Sequence, residues 1–183
     1  VGRTPEIFSH DADGNLTQDA RWSYVWDAEN RLVGLETSTA AGSAGVARQK
    51  LEFAYDSQDR RVSKKVFLAS GGGWTLAGHT LFEYDGWNLL AELDALNSNA
   101  AIRTYVWGLD VSGSSQGAGG VGGLLSVTDS ANSATHFAGY DGNGNVVGIV
   151  DANDGTLTAR YEYNAFGMQI TGEGAAAAGN PFR

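Results

Sequence analysis

The sequence has no cysteine, only two prolines and one methionine, and 12 basic residues against 21 acidic ones. Without cysteine there is neither a disulfide framework nor a thiolate metal site, whatever the compartment. A formal charge of −9 argues against nucleic acid and anionic membranes as partners, since both demand clustered Lys or Arg. The one basic cluster, Arg60, Arg61, Lys64 and Lys65, reads as a solvated strand face. No apolar run is long enough for a membrane-spanning helix, and no signal-peptide pattern occurs. No stretch repeats apolar residues at helical spacing between start and stop signals. The alanines at 175–178 are too few for a stable helix, and glycines bracket them.

What is present is glycine and aromatic residues. Twenty-six glycines, five Trp, seven Tyr and seven Phe, in a chain that is 42% hydrophobic, exclude a disordered tail and predict an all-β fold rich in turns. The order of the aromatics repeats. FAYDSQDRRV at 53–62 is echoed by YVWDAENRL from Tyr24, FEYDGWNLL from Phe82, YEYNAFGM from Tyr161 and, more loosely, FSHDADGNL from Phe8 and AGYDGNGNV from Ala138. YVWGLDV from Tyr105 keeps the rings but has Gly108 where the acid stands elsewhere. Measured at the acid position, the units fall at Asp11, Asp27, Asp56, Asp85, Gly108, Asp141 and Asn164, with irregular gaps of 16, 29, 29, 23, 33 and 23 residues.

Each unit reads as strand, tight turn, strand. Residues two apart in a strand share a face, so Tyr24 with Trp26, Phe53 with Tyr55, Phe82 with Tyr84, Tyr105 with Trp107, and Tyr161 with Tyr163 set paired rings on one side. Tyr140 stands alone in the same role. Three residues after the acid come Gly14, Asn30, Asp59, Asn88, Gly144 and Gly167, all types that tolerate a positive φ; Val111 breaks the pattern in the Gly108 unit. An acid opening a turn, followed by a left-handed residue, is the recipe for a bulged hairpin, and the carboxylate can bond the amide two residues on. The repeated aspartate is therefore expected to form turns and not to act as a catalytic acid.

The motifs FAYDSQDRRVSKKV, YDGWNLLAELD, YVWGLDVSGSSQGAGGVGGLLSV and YDGNGNVVGIVDANDGTLTARYEYNAFG resemble the YD repeat of RHS proteins, the C components of bacterial Tc toxins, and the teneurins. The resemblance implies a spiralling antiparallel sheet that closes into a hollow β-shell around a C-terminal toxin domain. It implies a non-enzymatic structural module, secreted or at the cell surface, whose partners are a downstream RHS core and a toxin domain of the same polypeptide. Residues 1–171 are expected to form the YD-repeat module without an internal boundary, and 172–183 a Gly/Ala-rich loop leading to that core, which NPFR at 180–183 would introduce. The family's self-cleavage motif lies downstream of NPFR and cannot be carried to any residue here.

Other motifs point to chemistry less well. Gly113-Ser114-Ser115-Gln116-Gly117 matches a nucleophile elbow, but AGGVGG follows it where the elbow needs a helix. Asp11-Ala12-Asp13 begins like a calcium loop, yet its sixth and twelfth positions are Leu16 and Trp22; from Asp141 they are Val146 and Ala152. His10, His79 and His136 lack ligand spacing. No catalytic residue, cofactor or metal is expected. TSTAAGSAG at 37–45 and ASGGG at 69–73 read as surface loops. The rival reading is a module binding a cell-surface glycan through exposed rings, with Trp87 in a turn as the leading candidate.

Overall fold

The computed structural model describes residues 6–180. Fourteen strands follow one another: β1 (Ser9–His10), β2 (Leu16–Gln18), β3 (Trp22–Trp26), β4 (Leu32–Thr37), β5 (Gln49–Tyr55), β6 (Arg61–Ser70) and β7 (Gly73–Asp85), then β8 (Asn88–Asp94), β9 (Ala100–Trp107), β10 (Leu124–Asp129), β11 (Ala134–Tyr140), β12 (Val146–Asp151), β13 (Leu157–Tyr163) and β14 (Gln169–Glu173). Strand order in the sheet is chain order, and the strands pair antiparallel from β1 through β7 and from β9 through β14. The all-β expectation holds.

The chain divides into two compact units, Val1–Leu81 with Asp94–Asn99, and Phe82–Leu93 with Ala100–Arg183. The first unit is a meander from β1 into β7. It departs from the sequence reading at 69–73, where only Gly71 and Gly72 stand as a turn between β6 and β7, and at 37–45. That stretch holds a helix, α1 (Thr39–Ser43), capped by Ser38, whose Oγ accepts from the Ala41 amide at 3.1 Å. Thr37, Ser38 and Ala41 are buried, so the segment is not a simple surface loop. A helix this short is stable only because its apolar side is covered.

The second unit carries the tightest core: Val146, Ile149, Ala159, Tyr161 and Ala177, with Ala138, Tyr140, Tyr163 and Ala176 packed against it. Strands supply alternate residues to this face, as the period of two requires. Ala177 belongs to the stretch read as a loop. Gly172 and Glu173 lie in β14, and turns at 174–179 fold back so that the Ala176 amide donates to Thr158 O at 3.0 Å. The ordered sheet thus extends past residue 171. Of NPFR, only Asn180 is among the described residues.

Candidate functional site

The repeated aspartates build one turn many times over. The amide of Asp11, Asp27, Asp56, Asp141 or Asn164 donates to the carbonyl four residues on, at 2.9–3.0 Å, and the residue three places on donates back, at 3.0–3.2 Å. Those third residues, Gly14, Asn30, Asp59, Gly144 and Gly167, have φ between 58 and 87°. One side-chain oxygen takes the amides two and four residues on; for Asp27 these are Glu29 at 2.9 Å and Arg31 at 3.0 Å. The Arg31 amide, and Arg31 Nε donating to the other oxygen at 2.8 Å, hold the Asp27 carboxyl below its usual range. At Asp141 the Asn145 side chain, then its amide, does the same.

Neighbouring turns of the first unit are laced together. Asn15 Nδ2 donates to Asn30 Oδ1 at 2.7 Å, and Arg31 reaches Asp59 at 2.9 Å. In both pairs the residue after the left-handed position of one turn bonds the left-handed residue of the next.

The second ring of each unit does more than pack. Trp26 Nε1 donates to Leu16 O at 2.8 Å, Tyr55 OH to Leu32 O at 2.8 Å, Trp107 Nε1 to Leu89 O at 2.7 Å, Tyr140 OH to Leu124 O at 2.6 Å, and Tyr163 OH to Val146 O at 3.0 Å. Each acceptor is at or beside the start of the returning strand of the preceding repeat. Pairing slips by one at Trp26, Tyr55, Tyr140 and Tyr163, whose register partners are Leu32, Arg61, Val146 and Gln169. One residue per returning strand, Val33, Val62, Val147 or Ile170, is left over as a bulge. The first rings differ in their bonds. Tyr24 OH donates to Asp19 at 2.7 Å, Tyr105 OH to Glu92, and Tyr161 OH to Ala177 O at 3.0 Å. Phe53 lies under the Arg61 guanidinium at 5.5 Å, and Phe82 and Tyr84 lie near the end of β7.

Two units depart from the sequence reading. After Asp85 the turn has only two residues, Gly86 and Trp87; the left-handed residue is Gly86, φ 54°, and not Asn88, which is buried in β8. A two-residue hairpin with glycine first needs no left-handed third residue. In the Gly108 unit, the Gly108 amide still closes the hairpin, onto Gly123 O at 2.7 Å. The inserted loop contains a further acid turn that sequence alignment on the rings hides. The Asp110 amide donates to Ser114 O, the Gly113 amide to Asp110 O, and Gly113 has φ 76°. Asp110 also accepts from Ser112 Oγ and the amides of Ser112, Ala118 and Gly120, at 2.5–3.2 Å.

The Ser112 hydroxyl foremost, with those amides, pulls the Asp110 carboxyl down to about 2 from 3.8. Its stabilising effect is therefore complete above pH about 4 and disappears as pH falls through about 2. We expect Asp110→Ala to lower the urea midpoint at pH 7 and to flatten its decline between pH 4 and 2. An acid limb identical to that of the parent chain would contradict this role.

The nucleophile-elbow serine, Ser115, sits in this exposed loop between turns, with no helix after it. A second serine pairing escaped the sequence reading: Ser63 Oγ is 3.0 Å from His79 Nε2 across β6 and β7. The residues are 16 apart and meet only through strand register. Among the described residues no third group is bonded to the imidazole to orient it, and neither residue lines a main cavity, so the pair reads as a cross-strand hydrogen bond. Among the described residues no cluster of three or more His, Cys, Asp or Glu is placed to hold a metal.

The same turn, bulge and ring-to-carbonyl bond thus recur along the sheet. A family model described as RHS Repeat matches residues 140–178, the stretch holding the Asp141 and Asn164 turns. Residues 140–178 belong to the RHS-repeat family. The chain's residues are 32% identical over 162 positions to the tRNA3(Ser)-specific nuclease WapA of Bacillus spizizenii and to the tRNA(Glu)-specific nuclease WapA of Bacillus subtilis subsp. natto. They are 31% identical to the tRNA nuclease WapA of Bacillus subtilis strain 168. Each match covers 88% of this chain and 6% of the relative, so the chain spans a small fraction of the proteins it resembles. Among solved structures, TcdB2-TccC3 without its hypervariable C-terminal region superposes with a TM-score of 0.54 at 13% identity, covering 88% of this chain and 7% of that one. Another TcdB2-TccC3 structure gives 0.54 at 11% identity, over 92% and 8%. At such identities the likeness is one of fold.

Proposed function

We propose that this RHS-repeat segment is a non-enzymatic wall section of a β-shell that encloses or presents a toxin domain lying C-terminal to it in the same polypeptide. The observation that carries the reading is the ring-to-carbonyl bond. The polar ends of Trp26, Tyr55, Trp107, Tyr140 and Tyr163 are used to fasten each repeat to the one before it. Both carboxylate oxygens of Asp27 and Asp141 are likewise taken by their own turns. The signature residues serve assembly, and the WapA names support a toxin context. We infer that nuclease activity resides in the 94% of the relative beyond the match, and that the −9 charge keeps RNA off this segment. A secreted or cell-surface location follows from the same reading.

The test is made on the full-length protein. Limited proteolysis should leave its C-terminal domain intact until Tyr55→Phe and Tyr163→Phe together loosen the wall, each lost bond weakening it by about 1 kcal/mol. The isolated chain should leave tRNA uncut. A C-terminal domain digested equally fast with the wall intact, or tRNA cleaved by the isolated chain, would refute the proposal. Exposed rings, Trp87 at 60% foremost among the tryptophans, favour the glycan-binding alternative, which a glycan array would reveal.

A further inference from the structure

We propose that a cavity in the second unit, between the face of β9 to β13 and the turns after β14, is a binding site for a free α-amino acid with an apolar side chain. Strand register builds its polar wall. Arg103, Asp129 and Ala134 are partners in one rung across β9, β10 and β11, and Tyr105, Val127 and His136 form the rung two residues along. Cross-strand partners share a face of the sheet, so Arg103, Asp129 and His136 reach the same space. Asn132, from the β10–β11 turn, joins them. Val127, Ile149 and Ala176 supply apolar lining, the last fixed by its amide bond to Thr158 O. The cavity holds about 310 Å³, at the small end of the roughly 300–1,000 Å³ usual for ligand sites.

The polar groups of this wall are gathered together yet bonded to little. Among the described residues, the His136 ring and the Asn132 side-chain amide make no hydrogen bond, and the Asp129 carboxylate accepts one, from the Ala131 amide to Oδ1 at 2.9 Å. Arg103 Nε stands 3.8 Å from Asp129 Oδ2, and Arg103 Nη1 stands 3.7 Å from Glu92, both too far for a hydrogen bond. Elsewhere the arginines close on their acids: Arg31 on Asp27 at 2.8 Å, Arg60 on Asp56 at 2.7 Å. The Arg103 guanidinium also meets the Tyr105 hydroxyl, which leaves most of its five donors for a ligand. Opposite charges held just out of contact match a molecule that carries both charges on neighbouring atoms. Its carboxylate takes the Arg103 fork, and its ammonium donates to Asp129 Oδ2. A simple anion would meet Asp129 unanswered, and a simple cation would meet Arg103. The zwitterion answers both, and its side chain lies against Val127 and Ile149.

Titration calorimetry of the full 183-residue chain with L-leucine should give a binding isotherm. Isovalerate, which lacks the ammonium, and 3-methylbutylamine, which lacks the carboxylate, should each bind about tenfold or more weakly, because each leaves one charged partner unanswered. Arg103→Gln should erase the preference for leucine over the amine, and Asp129→Asn the preference for leucine over isovalerate. Where a substitution prevents folding, the two analogues still decide the matter on the parent chain. The proposal is overturned if leucine gives no binding heat at millimolar concentration, or if either analogue binds the parent chain as tightly as leucine. Unchanged leucine affinity in a folded Arg103→Gln chain would overturn it equally.

Discussion

Tyr161→Ala is expected to destabilise the chain by about 3–5 kcal/mol, the range for truncating a large buried aromatic. Tyr161 is 2% exposed and touches the densest packing in the molecule, between Val146, Ile149, Ala159 and Ala177. Its hydroxyl donates to Ala177 O at 3.0 Å, so the phenol also clasps the returning C-terminal turns. Removal leaves a cavity and takes away that bond together. Urea titration measures the first effect. The second is a new protease-sensitive site between Gly174 and Asn180, and Tyr161→Phe separates the two by losing the clasp while keeping the ring. A midpoint unchanged in Tyr161→Ala would mean that the core lies elsewhere.

Gly174→Ala should destabilise by about 2–4 kcal/mol, while Gly167→Ala costs about 1 kcal/mol. Both glycines have positive φ, 103° and 77°. A Cβ on Gly174 would lie 2.2 Å from Thr158 O and 3.0 Å from Ala159 Cα, whereas one on Gly167 would meet nothing within 4 Å. The first substitution combines backbone strain with a clash against the rigid backbone of β13; the second brings strain alone. Equal shifts in midpoint would show that the approach of Gly174 to β13 is not needed for stability.

The turns were legible because their grammar is local. An acid and a left-handed residue three places later lie within one short window, so Asp27 with Asn30, or Asp141 with Gly144, declare themselves without knowledge of the sheet. The ring-to-carbonyl bonds were not legible. Leu16, Leu32 and Val146 accept through backbone oxygens, which carry no side-chain identity, and the pairing depends on a register fixed only when neighbouring repeats meet. Asp110 was hidden for a related reason: aligning the Tyr105 unit on its rings puts Gly108 at the acid position, which the closing bond to Gly123 respects, and the insertion then makes its own turn two residues later. The C-terminal turns misled through composition. A run of alanine and glycine reads as linker, yet the missing side chain at Gly174 is what lets it approach β13, and small Ala177 fits beneath Tyr161.

The identity of strand order with chain order bears on how the molecule comes apart and re-forms. With no crossover connection, a pull on one terminus meets its rungs one at a time, as a zipper does. The force needed is that of a single ladder and its bulge, plus, at the C-terminal end, the Tyr161 clasp that must open first. The reverse path is equally local. Contacts between neighbours in sequence form early and fast, so each hairpin can close as soon as its second strand is available.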